Sequence, residues 1–253
     1  MVKIKQSVCL ILSSLVFVYT FYVVGKLMLF LSNPGATSIK YTWILNILDN
    51  QSRLETAFVA LVFDALYVIL FILQHSLMKS NLIIAIFEKT GLGLIERSVY
   101  CLTSSLCLYY LIENWLSAPT IVLWQINVAD NPSLWWMFVL VHVFAWIVIY
   151  GGSLIMDLPE IMGLKHVYYD IKDYAPPMAY KSFELRHLYG HIRHPSFIGF
   201  LIVLWFTNLM TVDRLLLSIM LSLYMYVAWS TDHNDVIYQK CQLQRKREEL
   251  KSH

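Results

Sequence analysis

Charge is what this sequence has little of. Of its 253 residues only 14% are Asp, Glu, Lys or Arg, while 58% are hydrophobic. A soluble domain averages about 25% charged and about 45–50% apolar. The shortage excludes two classes. A disordered chain needs low hydrophobicity and high net charge, and a soluble globular enzyme needs more charge to cover its surface. The net charge is only +2, so nothing global attracts nucleic acid, and no direct nucleic-acid binding is expected. Cysteine is scarce too. Cys9, Cys101 and Cys107 fall in apolar segments and Cys241 in a basic tail, with no CxxC pair. That pattern argues against disulfides and zinc–cysteine sites. Residues Leu250 to His253 lack the cysteine that C-terminal prenylation requires. Internal repeats, low-complexity stretches and a Gly-rich methyltransferase loop are all missing.

What is present is a series of long apolar runs. A span needs about 20 apolar residues, so a chain of this length holds roughly six. The runs predict spans at about 8–31, 56–78, 98–112, 134–156, 197–210 and 215–230. The first follows Lys3 and Lys5 without a small-residue cleavage site, so it is expected to be retained rather than removed as a signal peptide. Lys26 is expected to snorkel to the interface, and Trp135 and Trp136 to anchor the fourth span. Thr211, Val212, Asp213 and Arg214 are the only residues between the last two spans, which predicts a tight helical hairpin. The expectation is an all-α, multi-pass transmembrane helical bundle in one integral membrane domain, 1–253. It has a polar loop at 157–195 and a basic tail at 231–253.

Six spans place both termini on one side. With the N-terminus cytosolic or nucleoplasmic, 15 of the 19 Lys and Arg lie inside, and Asn114 to Pro132 has neither. The positive-inside rule therefore predicts cytosolic or nucleoplasmic termini. A sequon, Asn50-Gln51-Ser52, falls in the first lumenal loop, close against the second span.

Ionisable groups inside a bilayer are functional candidates by default. Asp64 and His75 are 11 residues apart, about three helical turns, and share a face of the second span beside Gln74. His142 lies in the fourth span, with Trp146 one turn on. These residues either line a proton or ion pathway or bond between helices and fix packing. His187, His191 and His194 follow at i, i+4 and i+7. They either form a metal-binding face or belong to a basic interfacial helix over anionic lipid headgroups. Few other ligands are at hand, so no metal site is expected. Arg193-His194-Pro195 opens the fifth span, where a helix N-terminus attracts anions. Asp232 and Asp235, three apart after the last span, either complete a polar pocket with Arg193 and His194 or simply start a solvated helix. The Gln244 to Lys251 cluster is either a nuclear-targeting or lipid-binding patch or a solvated helix with pairs such as Lys246 and Glu249.

Several runs together resemble the nurim family: Leu73 to Met78 (LQHSLM), Glu96 to Tyr100 (ERSVY), Met162 to Tyr169 (MGLKHVYY), His191 to Pro195 (HIRHP), Thr211 to Leu217 (TVDRLLL) and Gln242 to Lys246 (QLQRK). The resemblance runs in order from the second span to the tail. It implies a multi-pass protein of the inner nuclear membrane, tightly held in the nuclear envelope through its spans, with no established catalytic activity. The implied partners are the lipid bilayer and nuclear-envelope or lamina proteins, with no cofactor.

That family is in turn similar to isoprenylcysteine carboxyl methyltransferases, which use S-adenosylmethionine. Those enzymes carry Arg-His-Pro before a helical hairpin, then an aromatic and a glycine, and a Glu-Glu pair after the last span. Arg193-His194-Pro195, Phe197 and Gly199 match, whereas Asn234-Asp235 stands where the enzymes have Glu-Glu. Under this alternative Arg193, His194 and Asp235 would bind S-adenosylmethionine. No catalytic residue is assigned.

Overall fold

The structure, a computed structural model, describes residues 2–35, 51–128, 130–155, 157–183 and 196–228, with five positions of the tail (237, 240, 241, 244 and 248). Helix α1 spans Val2–Ser32 and is followed by α2, Gln51–Leu77. Next come a short α3, Asn81–Lys89, and α4, Glu96–Glu113. Strand β1, Val122–Gln125, precedes α5, Pro132–Ile155. Two short helices follow, α6 at Leu158–Ile161 and α7 at Leu164–Ile171. The chain ends its described body with α8, Phe197–Trp205, strand β2, Leu209–Thr211, and α9, Val212–Ala228. The all-α expectation holds, and the one strand pair among the described residues is a small distal closure.

Three helices are long and apolar enough to cross a bilayer: Ile4–Ser32, Leu54–Leu77 and Pro132–Leu154. They form because little interrupts their apolar runs, and their ends carry local signals. Asn131 Oδ1, for example, accepts the amides of Ser133 (3.1 Å) and Leu134 (3.3 Å) ahead of α5. Their outer faces stay apolar and exposed, as at Val8, Leu15 and Val18 of α1, Phe58 and Leu73 of α2, and Leu140, Phe144 and Ile147 of α5. Exposed apolar surface on this scale marks contact with lipid rather than water.

The remaining predicted spans are shorter helices. α8 has nine residues, about 14 Å at 1.5 Å per residue, roughly half a hydrocarbon core. The expected break at 211–214 moves upstream. The helix stops at Trp205, residues 206–211 form the connection, and Asp213 and Arg214 lie in the first turn of α9. The reason is pairing. The Ile126 amide donates to the Asn208 carbonyl (2.7 Å), and β2 runs antiparallel to β1 with Val122 opposite Thr211 and Gln125 opposite Leu209. Asn208 also clasps Gly35, accepting its amide (3.1 Å) and donating to its carbonyl (2.8 Å).

α1 packs against α4 and α7, α2 against α4 and α9, and α5 against α8, while α8 and α9 form the hairpin. A shared core of Leu27, Leu31, Val68, Trp146, Val203 and Leu217 joins them. The bundle thus has a proximal end, holding the start of α1 with α6 and α7, and a distal end, holding the strand pair.

Candidate functional site

The expected cofactor residues Arg193, His194 and Asp235 lie outside the described residues, as do His187, His191 and Asp232. The helix they lead into is described. Ser196 Oγ donates to the Ile149 carbonyl (2.9 Å), and Phe197 is buried. Gly199 sits so close to α5 that a Cβ there would lie 2.7 Å from Ile149 Cγ1 and 2.8 Å from the Ala145 carbonyl oxygen. The glycine is therefore a helix-contact residue.

Asp64, His75 and His142 do not converge. His75 meets Tyr100, whose Oη lies 2.7 Å from Nε2, and Ser104 Oγ lies 3.3 Å from Nδ1. Beside it, Gln74 Nε2 donates to Thr103 Oγ1 (2.7 Å). These pairs join the ends of α2 and α4. His142 is buried between α1 and α8: Nε2 lies 2.7 Å from the Phe206 carbonyl and Nδ1 2.8 Å from Ser32 Oγ. A carbonyl only accepts, so Nε2 carries a hydrogen. The neutral ring then accepts the Ser32 hydroxyl through Nδ1, while Ser32 accepts the Trp146 indole (2.7 Å). Of the two readings of these polar residues, the geometry is that of interhelical packing.

Two charged constellations bring together residues that are distant in the sequence. The first is proximal, on α6, α7 and the segment after them. Glu160 is 1% exposed, and Lys181 Nζ lies 2.9 Å from its Oε2, with Lys165 at 3.8 Å. Lys165 also pairs with Asp157, which raises its pKa. His166 stands among these groups. Burial, helped by the nearby Arg97, Lys165 and Lys181 cations and opposed by Asp157, pushes it down to about 4, so the ring is neutral at ordinary pH. Two left-handed residues shape the turn. Asp157 has φ 57°, and Gly163 has φ +84°. A Cβ on Gly163 would come within 2.8 Å of Ser98 Oγ and 2.9 Å of the Ser98 amide nitrogen. That closeness lets Ser98 Oγ reach the Met162 carbonyl (3.3 Å) and Ser13 Oγ (2.8 Å). A groove of about 340 Å³ opens beside Lys165, between Leu10 and Ser14 of α1 and Leu164 and Tyr168 of α7.

The second constellation is distal. Asp64, fully buried, accepts the Leu116 amide through Oδ1 (2.9 Å). Asp213, 2% exposed, accepts the Trp115 indole through Oδ2 (3.0 Å). The Arg214 guanidinium donates to the Phe30 carbonyl (2.7 Å) and lies 4.6 Å from the Phe30 ring centroid. Nearby on α1, Lys26 pairs with Glu113 rather than simply snorkelling. The sequence signal for this site was Asp213-Arg214, read there as a turn. Among the described residues no group of three His, Cys, Asp or Glu side chains converges.

No protein-family model matches the chain, and no solved structure does. Curated relatives do. A nurim homolog of Drosophila pseudoobscura pseudoobscura is 59% identical over 247 residues, covering 97% of this chain and 98% of its own length. A nurim homolog of Drosophila melanogaster is 56% identical over the whole of both chains. Nurim of Bos taurus is 34% identical over 221 residues, covering 85% of this chain and 81% of its own. With identity at that level over nearly the full length, and with an all-α architecture of long apolar helices, the chain belongs to the nurim family.

Proposed function

We propose that this chain is a multi-pass protein of the inner nuclear membrane that acts without catalysis, as a structural or partner-binding element of the nuclear envelope. The observation that carries this reading is the use made of the polar side chains inside the bundle. His142, Ser32 and Trp146 bond one another, as do Ser98 and Ser13, Ser105 and Thr20, and Gln74 and Thr103. Such groups tie helices together and leave the long apolar flanks for lipid and for lateral partners. The positive-inside count supports a topology with both termini, and the segment from Asp157 to Phe183, in the cytosol or nucleoplasm. Nuclear-envelope or lamina proteins are the partners in this reading, and no cofactor takes part.

The test is localisation with selective permeabilisation. A terminally tagged chain should give a nuclear rim, resist extraction by salt and mild detergent, and hide its tag until the nuclear membrane is opened. Even labelling of peripheral reticulum with ready extraction would sink the reading.

One observation favours a second reading. The α8–α9 hairpin directly follows Arg193-His194-Pro195 and carries the buried Phe197 and the close-packed Gly199. In a methyltransferase acting on a lipid-like substrate, Arg193, His194 and Asp235 would hold S-adenosylmethionine. Calorimetric titration of the purified protein decides it, and no heat at millimolar cofactor removes it.

A further inference from the structure

We infer that the distal end of the bundle holds a monovalent alkali cation, of the sodium type, between the carboxylates of Asp64 and Asp213.

The two carboxylates come from different helices, α2 and α9, and both are bound by the short segment that follows α4. Consecutive residues hold them: the Trp115 indole bonds Asp213 and the Leu116 amide bonds Asp64. Each carboxylate thereby has one oxygen satisfied. The other oxygen of each, Asp64 Oδ2 and Asp213 Oδ1, is buried and has no hydrogen-bond partner. A third buried oxygen without a partner, Thr120 Oγ1, lies on the same segment after α4. Thr120 lies between Ala118 and Ile121. Those residues pack on Ala57 and Ala60, just before Asp64 on α2, and on Val212, next to Asp213. The Val212 amide bonds the Ile121 carbonyl (3.1 Å).

Buried charges are normally paired or bound to a metal. Here the charges do not balance. Lys26 and Glu113 cancel one another. Arg214 offsets one carboxylate of Asp64 and Asp213, and the other is left over. Among the described side chains one unit of positive charge is missing. The available atoms are two carboxylate oxygens and a hydroxyl, hard oxygen donors that suit alkali and alkaline-earth cations and not zinc or copper. A monovalent ion brings the charge to zero, while a divalent one would leave an excess of positive charge in a site already containing a guanidinium. A proton shared between the carboxylates is the rival, but it satisfies only two of the three orphaned oxygens. The ion is a fixed structural one. His75 and His142, the histidines of the spans, have partners of their own elsewhere.

The test uses full-length protein purified in detergent, with thermal unfolding followed by tryptophan fluorescence. Samples in sodium chloride, N-methylglucamine chloride and calcium chloride are compared at equal ionic strength. Sodium should raise the midpoint by several degrees, saturably, because a ligand bound only by the folded state stabilises it by mass action. The sodium-dependent part should vanish in Asp213→Asn and shrink in Thr120→Val. Because the aspartate variant risks misfolding, radioactive sodium binding to Thr120→Val, which keeps both charges, supplies an independent readout. It should show weakened affinity. Equal midpoints in sodium and N-methylglucamine would overturn the inference. So would stabilisation by calcium alone, or a midpoint that follows pH and not sodium, which would assign the site to a shared proton.

Discussion

Ser32 accepts the Trp146 indole and offers its hydroxyl to His142 Nδ1, so one serine on the last turn of α1 fixes two side chains of α5. Removing it orphans both. An unsatisfied buried polar group costs about 1–3 kcal/mol. Ser32→Ala should therefore destabilise the bundle by a few kcal/mol. Trp146→Phe in the Ser32→Ala background should add less than it does alone, since the indole then has nothing to lose. Thermal unfolding of the double-mutant cycle measures this.

Two glycines are predicted to tolerate no side chain, for different reasons. At Gly199 an added methyl would press on Ile149 and the Ala145 carbonyl, so Gly199→Ala should cost about 1–3 kcal/mol by overpacking. At Gly163 the φ of +84° adds backbone strain to the clash with Ser98, and Gly163→Ala should cost at least as much. Gly25, with open space around its Cβ position, is the control: Gly25→Ala should be neutral or slightly stabilising. The order of the three midpoints is the readout.

Lys181 and Glu160 form the most buried ion pair of the proximal cluster. Removing one partner of such a pair strands the other charge, at about 3–5 kcal/mol. Lys181→Met should fall toward the low end, because Lys165 remains 3.8 Å from Glu160. Adding Glu160→Gln should recover part of the loss. A double mutant as weak as the sum of the singles would show that the pair does not act together.

His166 predicts a pH dependence with a definite sign. Its folded pKa is lowered from 6.5 to about 4, so the unfolded chain binds a proton more readily. The stability associated with the neutral ring is complete above about 6.5 and is lost as pH falls toward 4. The size is on the order of 1–3 kcal/mol, reduced by the ring's partial exposure. Unfolding midpoints at pH 7 and pH 4.5 should differ more in the native chain than in His166→Gln. The difference between the two proteins isolates the histidine.

The long helices were legible because an apolar run of sufficient length has few other fates. The runs at 8–31, 56–78 and 134–156 became α1, α2 and α5, the three helices long and apolar enough to cross a bilayer, and the run at 98–112 became the shorter α4, with bounds that differ by up to six residues. The hairpin was legible in kind but not in register. Asp213 and Arg214 read as turn residues because they are charged, and nothing in the sequence announces that Trp115 and Phe30 wait for them 98 and 184 positions away. The proximal cluster was hidden for the same reason. Glu160 and Lys181 are 21 residues apart, with three left-handed residues, Asp157, Gly163 and Asp173, and the short helices α6 and α7 around them. Periodicity reports which face a residue takes, not which distant residue meets it. Asp64 and His75 illustrate this: they share a helix but bond to Leu116 and Tyr100 respectively.

The same long separations bear on how the chain is assembled. Phe30 meets Arg214 across 184 residues, and Gly35 meets Asn208 across 173. At a synthesis rate of about 5–20 residues per second, the first helix stands in the bilayer for on the order of 10–40 seconds before its last partners emerge. α1 thus packs against α4 and α7 well before the α9 residue that it binds at its distal end is made. Throughout that interval the Phe30 carbonyl and ring are open to whatever else occupies the membrane, whereas Ser32 waits only for α5.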